Sequence, residues 1–113
     1  MQTQIEQELI RLGMNRRSKG FSYCTHAIGE LCREPFLPAK TVYARVAQAC
    51  GAHSASVERD IRYTVEKTWE TGDWRQIDRL FGYTVCRERG KPTNREFLCR
   101  LAEKIRMESD RDA

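Results

Sequence analysis

The chain has 113 residues, 40% of them hydrophobic and 32% charged: the length of one domain and the composition of a folded chain, not a disordered one. No apolar run approaches the roughly 20 residues of a membrane span, and the polar start (Met1 to Arg11, with Glu6 and Glu8) lacks the regions of a signal peptide, so a cytoplasmic protein without a membrane partner is expected. The net charge is +4, from 20 basic and 16 acidic residues; 15 of the basic residues are arginine, the side chain suited to bidentate contact with phosphate and guanine.

Helical periodicity runs through almost every segment. Ile5, Leu9 and Leu12 form a first stripe that ends near Gly13. Phe21, Cys24, Ile28 and Leu31 form a second, ending before Pro35. Val42, Val46, Ala49 and Cys50 form a third, which starts after Pro38 and stops at Gly51, the favoured places for proline and glycine. Val57, Ile61, Val65 and Trp69 run at four-residue spacing through a fourth, ending at Gly72. Ile61 and Trp69 are expected to hold it against the third. Asp73 with Gln76 reads as a capping box for a short fifth helix carrying Ile77, Leu80 and Phe81. Tyr83 to Cys86 is strand-like but has no obvious partner, so it is expected to be extended loop. Thr93 with Glu96 reads as a second capping box, opening a sixth helix with Phe97, Leu98, Leu101 and Ile105. The expected fold is all-α, a single domain over residues 1–113 with about six helices and a frayed tail from Ser109.

The cysteines are Cys24, Cys32, Cys50, Cys86 and Cys99, an odd number with no Cys-x-x-Cys pair. They read as free thiols in apolar surroundings rather than as a disulfide framework or a zinc site. Cys24 and His26 are two apart, which on a helix turns them about 200° from each other, so they do not form a catalytic pair. His26 and His53 have no cysteine or carboxylate at metal-ligand spacing, and Gly20, Gly29 and Gly51 are isolated rather than gathered in a phosphate loop. No metal, no cofactor and no enzymatic activity are expected.

The third and fourth segments are joined by a very short turn, Gly51-Ala52-His53. That is the spacing of a helix-turn-helix, which wants a small residue four before the turn glycine. Ala47 supplies it. Of five further positions that want apolar residues, Val46, Cys50, Ala52 and Val57 fit and Asp60 does not. On the fourth helix Val57, Ile61, Thr64, Val65 and Thr68 point one way. Arg59, Arg62, Tyr63, Glu66 and Glu70 point roughly the other way, with Glu58 on the flank. Arginine can donate two bonds to guanine and glutamate can accept from cytosine, and the first turns of a second helix are the ones that reach base edges. Ser54 is the expected N-cap. Two basic clusters lie in stretches expected to be loops or helix starts: Arg16, Arg17 and Lys19, then Arg87, Arg89, Lys91 and Arg95. Read without the helix-turn-helix, these are solvated loops, and Glu58–Arg62 is an ordinary i,i+4 pair.

Four stretches carry a wider resemblance: Lys19-Gly20-Phe21-x-Tyr23 with Ala27-Ile28; Val57-Glu58-Arg59-x-Ile61-Arg62; Leu80-Phe81-Gly82-Tyr83-Thr84-Val85; and Lys91-Pro92-Thr93-Asn94-x-Glu96-Phe97. In order and spacing, over about residues 5–108, the chain resembles the C-terminal effector domain of the sporulation-initiation response regulator of endospore-forming bacteria. The resemblance implies six helices around a helix-turn-helix and a transcription regulator that binds short boxes in double-stranded DNA, often as head-to-tail pairs on tandem boxes. It implies base reading by Glu58, Arg59 and Arg62, on a recognition helix of about 55–71. It also places a contact with the sigma subunit of RNA polymerase in Trp74 to Val85. Beside it, Ser54, Ser56, Tyr63, Lys91 and Arg95 are the expected DNA-backbone contacts. Two departures stand out. Ser56 replaces an arginine usual in the family, and the chain begins directly before the first effector helix, without the receiver domain and phosphorylated aspartate of full-length relatives. The expectation is thus either a fragment or a stand-alone effector with no phosphorylation switch. The rival reading is a protein-interaction module of the same fold that modulates polymerase or a full-length regulator without binding DNA.

Overall fold

The computed structural model describes residues 1–82 and 90–112. Six helices account for most of them: α1 (Gln2–Arg11), α2 (Lys19–Arg33), α3 (Ala39–Cys50), α4 (Ser54–Thr71), α5 (Trp74–Phe81) and α6 (Asn94–Asp112). The described residues contain no strand. The expected loop at Tyr83 to Cys86, together with Arg87 and Arg89, lies outside them.

Local chemistry fixes the helix starts. The Ser18 hydroxyl accepts the Phe21 amide at 3.1 Å and opens α2. Thr93 and Glu96 form the reciprocal box expected of them: the Glu96 amide donates to the Thr93 hydroxyl and the Thr93 amide to the Glu96 carboxylate, each at 3.1 Å. Asp73 caps α5 through the Arg75 and Gln76 amides. Its own amide, which a full box would give to Gln76, instead donates to the Leu12 carbonyl at 2.9 Å. The end of α1 thereby takes the place of a local partner.

α2 is the centre of the fold. It packs on α1, α3, α4 and α6, and Phe21, Tyr23, Cys24, Ala27, Ile28 and Leu31 are all buried. Ile5, Leu9 and Leu12 of α1, Val57, Ile61 and Val65 of α4, and Phe97, Leu101 and Ile105 of α6 close around it. Glu8 is buried too, held by Lys104 at 2.7 Å and Arg11 at 3.1 Å, which ties α1 to α6. Removing either cation would leave a buried charge unpaired.

Two close approaches need glycine. A Cβ on Gly20 would fall 1.8 Å from Thr64 Oγ1 and 2.7 Å from the Asp60 carbonyl, so α2 starts in backbone contact with α4. Gly13, at φ +94°, meets Gly72: a Cβ there would lie 2.7 Å from the Gly72 Cα. The chain thus crosses from the C-terminal end of α4 to its middle between residues 13 and 20.

Two expectations are corrected. Ala49 is exposed, not part of the buried stripe of α3. α2 and α4 both lie on the side of Val46, Ala47 and half-buried Cys50, and leave Ala49 to solvent. Trp69 is half-buried, and its ring contacts are with α5 rather than α3: it meets Trp74 and Phe81 edge-on at 6.0 and 5.3 Å. It lies far along α4, beyond the reach of the short α3. Cys24 and Cys32 are buried free thiols, whereas Cys50 and Cys99 are half-exposed. Among the described residues no His, Cys, Asp or Glu cluster could hold a metal ion, and no helix is long and apolar enough to cross a membrane.

Candidate nucleic-acid interface

The turn between α3 and α4 is built by Gly51, in the left-handed region at φ 65°, where glycine carries no Cβ penalty. The Ala52 amide folds back to the Ala47 carbonyl at 2.9 Å. Ala47 is buried at the crossing, as a small residue there must be. His53 follows in extended conformation, and its carbonyl accepts the Val57 amide at 3.0 Å. The capping residue is therefore His53, and Ser54 is the first residue of the helix instead of its cap. The His53 side chain makes no capping bond, so the first amides of α4 are open to an external acceptor.

α4 turns Val57, Ile61, Thr64, Val65 and Thr68 inward. Arg59, Arg62 and Tyr63 are exposed, Ser54 is exposed, and Glu58 and Ser56 are partly covered. Asp60, the residue that breaks the apolar pattern, is half-buried where α4 meets Gly20. Glycine, not an apolar side chain, closes that side, so a polar residue is accommodated.

The exposed cations are unequal. Arg62 is held by the Glu58 carboxylate one turn before it. Lys91 reaches from the loop before α6 to Glu66 at 2.9 Å. Arg59 is held more loosely, its ion-pair partner among the described residues being Asp60 at 3.8 Å. Arg95 is exposed, yet one of its guanidinium nitrogens donates to the Leu37 carbonyl at 2.7 Å, so it also pins the α2–α3 loop.

A groove of about 540 Å³ runs between α4 and the start of α6, with Tyr43, Glu58, Arg62, Glu66 and Lys91 on its walls. Sequence reasoning missed the residue that organises it. The Asn94 amide donates to the Tyr43 hydroxyl at 3.2 Å and to the Glu58 carbonyl at 3.1 Å, joining α6, α3 and α4. Burial pushes the Tyr43 phenol up, against the opposing bond from Asn94, so it stays a neutral hydroxyl. Asn94 stood in a quoted motif, but spacing alone gives no sign of a bond to residues 36 and 51 positions away.

The structure brings Glu58, Arg59, Arg62, Tyr63 and Lys91 to one surface, and Ser54 and Ser56 to its leading edge. Of the segment expected to face polymerase, Trp74 is exposed on α5, and the part from Tyr83 to Val85 lies outside the described residues. A family model described as "sporulation initiation factor Spo0A C terminal" matches residues 5–105. The chain belongs to that family, the non-catalytic DNA-binding effector of a sporulation regulator.

Proposed function

We propose, from its membership of the Spo0A C-terminal family, that this chain is a sequence-specific DNA-binding transcription regulator that inserts α4 into the major groove. The observation that carries this reading is the exposed first half of α4, with Arg59 and Arg62 projecting from a helix-turn-helix whose turn is closed by Gly51. Arg59 and Arg62 read guanines, and Glu58 accepts from cytosine or orients Arg62. Ser54, Ser56, Tyr63, Lys91 and Arg95 contact the sugar-phosphate backbone. On tandem boxes two copies sit head to tail, and α5 with the residues after it faces the sigma subunit of polymerase.

The pairing of Arg62 with Glu58 and of Lys91 with Glu66 supports a second reading. A surface with two of its cations already paired suits a protein partner as well as DNA, and the same fold could then act on polymerase or a related regulator.

Selection of bound duplexes from a random pool separates the two, followed by a salt series on the selected and a scrambled duplex. Arg59→Ala is expected to lose about 1–3 kcal/mol on the selected duplex and little on the scrambled one. Lys91→Ala is expected to weaken both and to lower the salt slope by about one unit. Equal weakening of both duplexes by Arg59→Ala would leave the helix-turn-helix as a packing motif and put the protein-interaction reading ahead.

A further inference from the structure

The groove beside Lys91 covers only one side of α4. Glu58 and Glu66, which meet Asn94 and Lys91, lie on that side. Asp60 and Thr64, which meet Gly20, are each two residues from one of those glutamates, and two residues turn a helix by about 200°. The start of α2 therefore flanks α4 on the side away from Lys91. From there the chain runs back along α4 to Gly13, which abuts Gly72. Arg16, Arg17 and Lys19 belong to this segment, and all three are exposed.

These three cations also differ from Arg62 and Lys91 on the other side of α4, each of which holds a carboxylate. Among the described residues, Arg16, Arg17 and Lys19 hold none. The turn that presents them is stabilised without their side chains: the Arg17 amide donates to Asn15 Oδ1 at 3.0 Å and the Ser18 hydroxyl to the Asn15 carbonyl at 2.9 Å. Three like charges on one turn repel one another, and an anion between them would relieve that repulsion.

A helix with its side chains is about 10–12 Å across, and the major groove is about 12 Å wide. A helix seated in the groove fills it, and whatever flanks the helix stands over the two walls, which are phosphates. We propose that Arg16, Arg17 and Lys19 form a second backbone grip, on the DNA strand opposite the one met by Lys91, so that α4 is held between two basic edges. The ligand chemistry is the phosphodiester of duplex DNA. The grip rests on the DNA-binding reading above, adds affinity without sequence preference, and sets the angle of α4 in the groove.

The experiment replaces Arg16, Arg17 and Lys19 together with glutamine, and in a control variant Arg75, Arg79 and Arg106, which removes the same charge from α5 and the later turns of α6. Salt series are run on the selected and scrambled duplexes. The first variant is expected to lower the slope by about two to three units on both duplexes, because each lost phosphate contact removes about one. The control should leave the slope near that of the parent. Phosphate-ethylation interference should then lose contacts on one strand in the first variant and on the other strand in Lys91→Gln. Equal slopes for the two triple variants, an unchanged slope in the first, or losses confined to one strand would overturn the grip while leaving DNA binding intact. A parent that binds neither duplex would remove the reading on which it rests.

Discussion

Gly20 and Thr64 are in contact so close that any side chain at residue 20 would occupy the space of the Thr64 hydroxyl, 1.8 Å from where a Cβ would stand. This contact sets the distance between α2 and α4. Gly20→Ala is therefore predicted to destabilise the domain by about 1–3 kcal/mol, the range for overpacking a tight contact. At ~4–8 °C per kcal/mol for a domain of this size, a melt should fall by at least about 4 °C. An unchanged melting temperature would show that α2 and α4 can separate freely.

Asn94 is predicted to position α4. Asn94→Ala removes the bonds to the Tyr43 hydroxyl and the Glu58 carbonyl, at a cost of about 1–2 kcal/mol in stability. Below the melting transition it should also weaken binding to the selected duplex more than to the scrambled one, since Glu58 and Arg62 lose their fixed register. Equal weakening of the two duplexes would confine Asn94 to a stabilising role.

Glu30 gives a pH-dependent prediction. Burial works to raise its carboxyl, but the bonds from Arg45 and Arg33 outweigh this and hold it below its ordinary value. A carboxyl lowered in the folded state contributes stability in full above its unfolded pKa, about 4.3, and loses it as pH falls through the lower folded value. Glu30→Gln should therefore melt lower than the parent at neutral pH, and the gap should narrow as pH falls below the unfolded value of about 4.3. A gap that does not change as acid is added until the domain unfolds would show that the ion pairs do not carry it.

The thiols should separate by reactivity. Burial pushes Cys24 up to about 12 and also raises Cys32, so neither presents a thiolate at pH 8. Cys50 and Cys99 are half-exposed. Alkylation of the native protein, read by peptide mass mapping, should label Cys50 and Cys99 well before Cys24 and Cys32. Early labelling of Cys24 would mean that the centre of α2 opens readily.

The parts of the fold legible in the sequence are those governed by neighbours in the chain. The four-residue stripe of Val57, Ile61 and Val65, the Thr93–Glu96 box and the Gly51 turn depend on spacings of a few residues, and the structure has all of them. What escaped depends on contacts between distant segments. Asp73 gives its amide to Leu12 rather than to Gln76 because α1 ends beside it. Trp69 turns to α5 because Trp74 and Phe81 come round to meet it. The interface divides in the same way. Helical spacing placed Arg59 and Arg62 on one outer face and gave Glu58–Arg62 as an i,i+4 pair, but not the bond from Lys91 to Glu66, nor the Asn94 bridge. The reason for the glycine in Lys19-Gly20-Phe21 became clear only with Thr64 against it.

The edge-on pair of Trp69 and Trp74 has an optical consequence. These are the two tryptophans of the chain, and their ring centroids are 6.0 Å apart at the junction of α4 and α5. Ultraviolet emission from this protein therefore reports a single neighbourhood. Ten residues of helix, about 15 Å, separate Trp69 from Arg59. A ligand at the start of α4 would leave that emission largely undisturbed, whereas anything that lifts α5 away would part the rings and shift it. The domain thus carries an unlabelled gauge of one joint, able to distinguish a partner that settles on α5 from one that settles on the helix-turn-helix.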